Sequence, residues 1–271
     1  MPETPTGRAG CPWNAVRMSL GTALVTGPTA GIGRSFADVL ASRGHDLVLV
    51  ARNKQRLDEL AEELRGRYAV DVDVIAADLA DRAELALVEA RVADRERPIS
   101  LLVNNAGFGH KHPFTENTVE DEQEMLDVLV TAVMRLSHAA IGPMLERGDG
   151  AIVNVSSVAA FLPRGTYSAA KAYVVSFSEW LDLTYRARGV RGMALCPGFV
   201  RTEFHERMGV GRDSAPAWMW LDADRLVREA LTDLEKGRTI SVPSKRYKLL
   251  SGVARYTPSS LQARFQGLGR K

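Results

Sequence analysis

The sequence predicts an α/β fold, a doubly wound parallel sheet of about seven strands carrying helices on both faces, in a single domain. Three observations predict it. Short runs rich in Val, Leu, Ile and Ala alternate with longer segments of helical spacing along most of the 271 residues. The composition, 45% hydrophobic and 25% charged, is that of a chain able to bury a sizeable core and excludes disorder. No linker rich in Pro, Gly or Ser and no internal repeat interrupts residues 18–243. No uninterrupted run reaches the roughly 18 apolar residues of a membrane span, so a water-soluble chain is expected.

The elements follow in order. Leu20–Thr26 is the first strand, and a Gly-rich turn leads from it into a helix over Ile32–Arg43. Asp46–Ala51 pairs with the helix Lys54–Arg67, and Val72–Ala77 with Arg82–Arg95. Ile99–Asn104 precedes the longest helical pattern, Val119–Arg147, and Ala151–Val155 precedes Tyr167–Arg188. Arg191–Cys196, the helix Asp222–Lys236 and the strand Thr239–Val242 complete the series. Each strand is short, apolar and bounded by Gly, Asp, Asn or Pro, and each helix is built of good helix formers. Repeated strand–helix order implies parallel strands, because only a crossover brings the chain back to lay the next strand in the same direction. Ligands of such sheets bind outside the carboxyl ends of the strands, so the residues just after each strand carry the chemistry.

The ends of the chain differ from its body. Residues 1–17 contain Pro2, Pro5 and Pro12 with Gly7 and Gly10, lack an apolar core segment, and are read as a flexible extension rather than a secretory signal, with Met18 an alternative start. Cys11 and Cys196 are too few and too far apart for a disulfide framework or a cysteine zinc site, and a reducing, cytoplasmic setting is expected. The net charge of +2 hides an asymmetry: residues 245–271 carry seven basic side chains and no acidic one, leaving 28 basic against 33 acidic in the remainder. That basic extension, residues 244–271, is open to two readings. It packs Leu249, Leu250, Val253 and Leu261 onto the body, or it touches an acidic lipid surface; a nucleic-acid partner is not expected.

After the first strand stands Thr26-Gly27-Pro28-Thr29-Ala30-Gly31-Ile32-Gly33, opening directly into a helix. Glycines let the backbone turn sharply and approach a pyrophosphate, whose charge is met by free N–H groups at the helix start. Its G-x-x-x-G-x-G spacing differs from the common dinucleotide fingerprint, but the strand before and the helix after it favour a cofactor site. The second strand ends at Arg52, where a site for NAD would place an acidic residue to hold the ribose hydroxyls and a site for NADP a cation for the 2′-phosphate. Arg52 therefore points to NADP(H), with Arg34 as a second cation. Asp78, after the third strand, either accepts from an adenine amino group or caps the helix starting near Asp81. Asn104-Asn105-Ala106-Gly107 suits a hydrogen-bonded turn under the cofactor, or an Asx turn alone.

The sharpest constellation follows the fifth strand. Ser156 and Ser157 end it, and Tyr167 and Lys171 stand four apart on one face at the start of a helix. A free phenol, with a pKa near 10, is a poor proton donor or acceptor at neutral pH, and an adjacent ammonium favours the phenolate.

In order and approximate spacing, the Thr26–Gly33 loop, Asn104–Gly107, Ser157, Tyr167 with Lys171, and Pro197-Gly198-Phe199-Val200-Arg201-Thr202 resemble the short-chain dehydrogenase/reductase family over about residues 18–243. The resemblance implies a Rossmann-type sheet of seven strands, hydride exchange with a nicotinamide, an oxidoreductase interconverting a carbonyl and an alcohol, and a homodimer or homotetramer built on the two long helices. It also implies roles. Tyr167 exchanges the proton, Lys171 lowers its pKa and holds the nicotinamide ribose, and Ser157 orients the carbonyl, with Ser156 as runner-up. Gly27, Gly31, Ile32 and Gly33 face the pyrophosphate, with Thr29 also binding the cofactor, Asp78 and Leu79 the adenine, and Asn105 the adjoining ribose. Val200 and Thr202 flank the nicotinamide carboxamide, and Pro197 also binds the cofactor.

Two departures from the family pattern stand out. Leu129 occupies the place of an Asn that kinks the helix after the fourth strand and anchors a water relay to the Lys. Ser157 and Tyr167 are ten positions apart, about three fewer than in the family, which shortens the loop through Pro163-Arg164-Gly165. A metal site at His110 and His112 is not expected for want of a third ligand, and His205 is equally isolated. Between 199 and 221, Phe204, Met208, Trp218, Met219 and Trp220 either form an insertion closing over an apolar carbonyl compound or complete a core or subunit interface.

Overall fold

The protein is described by a computed structural model covering residues 21–201 and 216–256. Seven strands form one sheet in the order β3-β2-β1-β4-β5-β6-β7, all parallel: β1 Thr22–Thr26, β2 Leu47–Ala51, β3 Val72–Ala76, β4 Ile99–Asn104, β5 Gly150–Val155, β6 Val190–Leu195 and β7 Ile240–Ser241. The connecting helices are α1 Gly31–Ser42, α2 Lys54–Tyr68, α3 Arg82–Ala93, α4 Val119–Leu126, α5 Val133–Arg147, α6 Thr166–Tyr185 and α7 Ala223–Glu235, with α8 Lys245–Tyr256 at the carboxyl end. The chain reverses direction across the sheet between β1 and β4, which opens a crevice at their carboxyl ends.

Period-2 alternation along the strands divides the core in two. Ala23 and Val25 of β1 and Leu101 and Val103 of β4 face a layer formed by Phe36, Leu40, Leu57, Leu64, Val227 and Leu231 of α1, α2 and α7. Leu24 and Leu102, one residue out of phase, face Leu85, Val88, Leu136 and Leu181 of α3, α5 and α6. Each such Leu or Val, wholly removed from water, contributes about 1.5–3 kcal/mol. Strands buried on both faces explain the continuous apolar runs in the sequence.

Three expectations are corrected. The helical pattern Val119–Arg147 is not one regular helix: Asp127–Ala132 between α4 and α5 is π-helical. By length and composition that stretch is also apolar enough to cross a bilayer, which a search for unbroken apolar runs passes over; half of its apolar window is buried inside the protein. In the basic extension, Leu249 does not pack on the body but is 71% exposed, whereas Tyr247 is buried. Leu261 and the remaining tail, with Phe204, His205 and Met208, lie outside the described residues.

Candidate active site

The loop after β1 is built around glycine. Gly27 and Gly31 adopt positive φ, +66° and +56°, where a side chain is strained. Asn105 fixes the turn from across the crevice, its Nδ2 donating to the carbonyls of Thr26 at 2.9 Å and Gly27 at 3.1 Å. The Thr26 hydroxyl in turn accepts from the backbone N–H groups of Asn105 and Ala106, both at 2.9 Å. Asn104 points the other way, into the core, donating to Asn154 at 2.8 Å. The helices α2, α3, α4 and α7 each carry a side-chain cap, from Asn53, Asp81, Thr118 and Asp222. Helix α1 has none and no acidic residue in its first turn, so its terminal N–H groups are left for an anion at the crevice.

Gly33 departs from its expected role. It does not line the crevice; a Cβ there would overlap the Gly27 carbonyl and the Asn105 amide, so its function is close approach of α1 to the turn. Arg34 departs too. Its guanidinium is held by Glu63 at 2.6 Å and Asp38 at 3.2 Å; burial alone would lower its pKa, but the two carboxylates together outweigh it and raise it.

At the end of β2, Arg52 lines the crevice with its side chain 68% exposed, 3.6 Å from Asp78 and 4.0 Å from Glu124. Arg56 lines it as well, one helical turn into α2. That residue stands in no sequence motif; its place in the first turn of the helix that follows β2 is the available signal. Asp78 is not the helix cap: Asp81 accepts from Ala83 and Glu84, while Asp78 accepts from Ala80 and faces the crevice beside Leu79.

The opposite end of the crevice holds the polar constellation. Ser157 caps a short 3-10 turn by accepting from Ala159 N–H at 3.1 Å and is hydrogen-bonded to the Tyr167 phenol. Ser156, the alternative serine, is buried with its hydroxyl donating to the Lys171 carbonyl at 2.7 Å, which commits it to holding β5 against α6. The Lys171 ammonium donates to the Val155 carbonyl at 2.8 Å and lies 5.7 Å from the Tyr167 ring centre. Burial pushes the phenol up to about 12, with the Ser157 hydrogen bond pulling it down, and burial draws Lys171 down to about 8. Among the chain's own groups, the desolvation cost of a phenolate is the larger influence on the phenol. Leu129 sits against this pair: it packs with Met125, Ala170 and Tyr167, and a Cβ at Gly107 would overlap it while lying 3.8 Å from the Lys171 ammonium.

One cavity of about 450 Å³ joins the two ends, lined by Gly27, Thr29, Gly31 and Ile32 in the middle, Arg52, Asp78 and Leu79 on one side, and Ser157, Tyr167 and Lys171 on the other. Asn105, Pro197, Gly198 and Val200 complete its wall. Thr202 lies outside the described residues. His110 meets the Asp121 carbonyl at 2.9 Å and His112 lies 3.6 Å from Glu116; among the described residues no three metal-ligating side chains are grouped.

A family model for the short chain dehydrogenases matches residues 21–212. The chain belongs to that family. Among other short-chain dehydrogenases, it is 37% identical to the one from Sphingobium yanoikuyae solved in complex with NADPH, superposing with a TM-score of 0.80 over 86% of this chain and 93% of that one. Human inactive hydroxysteroid dehydrogenase-like protein 1 is 34% identical over 185 residues, 66% of this chain and 56% of its own. Human very-long-chain 3-oxoacyl-CoA reductase is 35% identical over 188 residues, 67% of this chain and 60% of its own. The chain thus spans less than two thirds of the length of these two relatives.

Proposed function

We propose that this short-chain dehydrogenase is an NADP(H)-dependent oxidoreductase that interconverts a carbonyl and a secondary alcohol on a small hydrophobic substrate. The observation that carries the reading is the single cavity running from two arginines, Arg52 and Arg56, past an uncapped helix terminus to Ser157, Tyr167 and Lys171. A dinucleotide with a 2′-phosphate matches that order of charges: cations at one end, glycine backbone and free N–H groups for the pyrophosphate, and a proton-exchanging group at the other. When bound, the nicotinamide supplies or accepts the hydride at the substrate carbon.

The chain's own residues do the rest. Ser157 donates to the carbonyl oxygen and orients it, and Tyr167, whose phenol stays protonated at neutral pH, gives that oxygen its proton. In the reverse direction the alcohol proton returns to Tyr167. Lys171 holds the nicotinamide ribose from the same face of α6. The NADPH complex of the Sphingobium protein and the 3-oxoacyl-CoA reductase activity named for the human relative support the cofactor and the direction.

The same reading makes the chain a homodimer or homotetramer. Tyr173, Phe177 and Trp180 stack along an outer face of α6, with Trp180 50% and Leu183 63% exposed, and a second copy would cover them.

The test is incubation with NADPH and a panel of apolar ketones and aldehydes, with alcohols detected by mass spectrometry. Alcohol from at least one apolar ketone is expected. NADPH binding with no alcohol from any member favours a cofactor-sensing protein, the reading that the inactive human relative recommends.

A further inference from the structure

Tyr247 belongs to none of the motifs that carry the chemistry, yet it is only 4% exposed on a helix whose neighbouring side chain, Leu249, is 71% exposed. Its hydroxyl accepts from the Phe199 N–H at 3.0 Å and donates to the Met219 carbonyl at 2.8 Å. Its ring covers Gly198 so closely that a Cβ there would overlap it, although the Gly198 backbone is not in the positive-φ region and would otherwise accept a side chain. The two segments bridged by that hydroxyl are also clipped together by the backbone: Leu221 N–H donates to Phe199 at 2.8 Å, and Arg201 N–H to Leu221 at 3.1 Å. Pro197, Gly198 and Val200 form part of the wall of the cavity that Tyr167 also lines, and the Pro197 carbonyl accepts from Val158 N–H, next to Ser157, at 3.0 Å.

We infer that Tyr247 is a positioning residue, holding Pro197–Val200 in the place from which that wall meets the nicotinamide half of the cofactor. The energetic case is local. Phe199 N–H and Met219 C=O both bond to the Tyr247 hydroxyl, and removing it costs two hydrogen bonds that join the two segments. The basic extension is thereby tied to the site: Tyr247 joins α8 to the segment after β6, and the charged residues Lys245, Arg246 and Lys248 are exposed. Arg246 lies over the Trp218 ring at 5.8 Å and donates to the Trp218 carbonyl at 2.9 Å, which steadies α8 on the same segment.

The inference rests on the reading of the cavity as an NADP(H) site with the nicotinamide beside Tyr167, and two probes separate the two claims. Calorimetric titration of the full chain with NADPH and with 2′-phospho-ADP-ribose, which lacks the nicotinamide, compares the whole cofactor with the half that Pro197–Val200 does not touch. Tyr247→Phe is expected to weaken NADPH about fivefold to tenfold, the scale of one or two lost hydrogen bonds, and to change 2′-phospho-ADP-ribose less than twofold. Gly198→Ala, which displaces the wall against the ring with Tyr247 intact, is expected to give the same selective loss and serves if Tyr247→Phe does not fold. Equal weakening of both probes, or of neither, overturns the positioning role. Wild-type protein that binds neither probe overturns the cofactor reading beneath it.

Discussion

Arg52 and Tyr167 mark the two ends of the cavity, and each carries a prediction. Arg52 is largely exposed and faces Asp78 at 3.6 Å, so a 2′-phosphate would meet a guanidinium already turned toward the crevice. Wild-type protein is expected to bind NADPH more tightly than NADH in a fluorescence titration, and Arg52→Asp to narrow that gap about tenfold or more by setting a carboxylate against the phosphate. Tyr167 has its pKa pushed up to about 12 by burial. The absorbance difference between wild type and Tyr167→Phe is therefore expected to show no phenolate at this site below pH 10. Reduction uses the protonated phenol and persists at neutral pH, whereas oxidation needs the phenolate and climbs with pH; a site-specific midpoint near 8 would contradict this assignment. Residue identity was readable where the chemistry is local, as in the Tyr167–Lys171 pair, and unreadable where partners come from elsewhere in the chain. Arg34 looks available until Glu63 of α2 closes on it, and Gly33 looks like a phosphate glycine until Asn105 of the β4 turn fills the space its Cβ would need.

Elements were easier to read than their irregularities. Strands and helices follow from periodicity because the sheet is buried on both faces, and helix starts at Asn53, Asp81 and Asp222 follow from their capping side chains. The π-helical turn Asp127–Ala132 left no such mark. Its sequence, Asp-Val-Leu-Val-Thr-Ala, holds no Gly or Pro to mark a break, and the bulge places Leu129, where the family pattern has Asn, in the cluster with Met125, Ala170 and Tyr167. The aromatic face of α6 makes the prediction at this scale. Tyr173, Phe177 and Trp180 recur at i, i+4 and i+7, a stacked aromatic row whose two ends, Tyr173 and Trp180, are exposed among the described residues. Light scattering is expected to give twice or four times the chain mass, and Trp180→Lys to shift it toward the monomer; a wild-type monomer at micromolar concentration contradicts the oligomer.

For the whole molecule, strand order decides what the motifs can do together. The Gly-rich turn after β1, the Asn turn after β4 and the serines after β5 are more than 120 residues apart at their extremes, yet all open on one crevice because β1, β4 and β5 are neighbours in a parallel sheet. The carboxyl-terminal helix was the part least legible in the sequence. Its charges suggest a surface segment, and Tyr247, buried among its described side chains, follows no periodic pattern that separates it from Leu249. The claim that this crevice is a reductase site, with the cofactor lying from Arg52 to Tyr167, is tested most directly by the rate of NADPH consumption with an apolar ketone in wild type and in Tyr167→Phe. Removing the phenolic proton donor is expected to lower kcat about 10²-fold to 10⁴-fold while leaving NADPH affinity within about twofold. Undiminished turnover in Tyr167→Phe would contradict it.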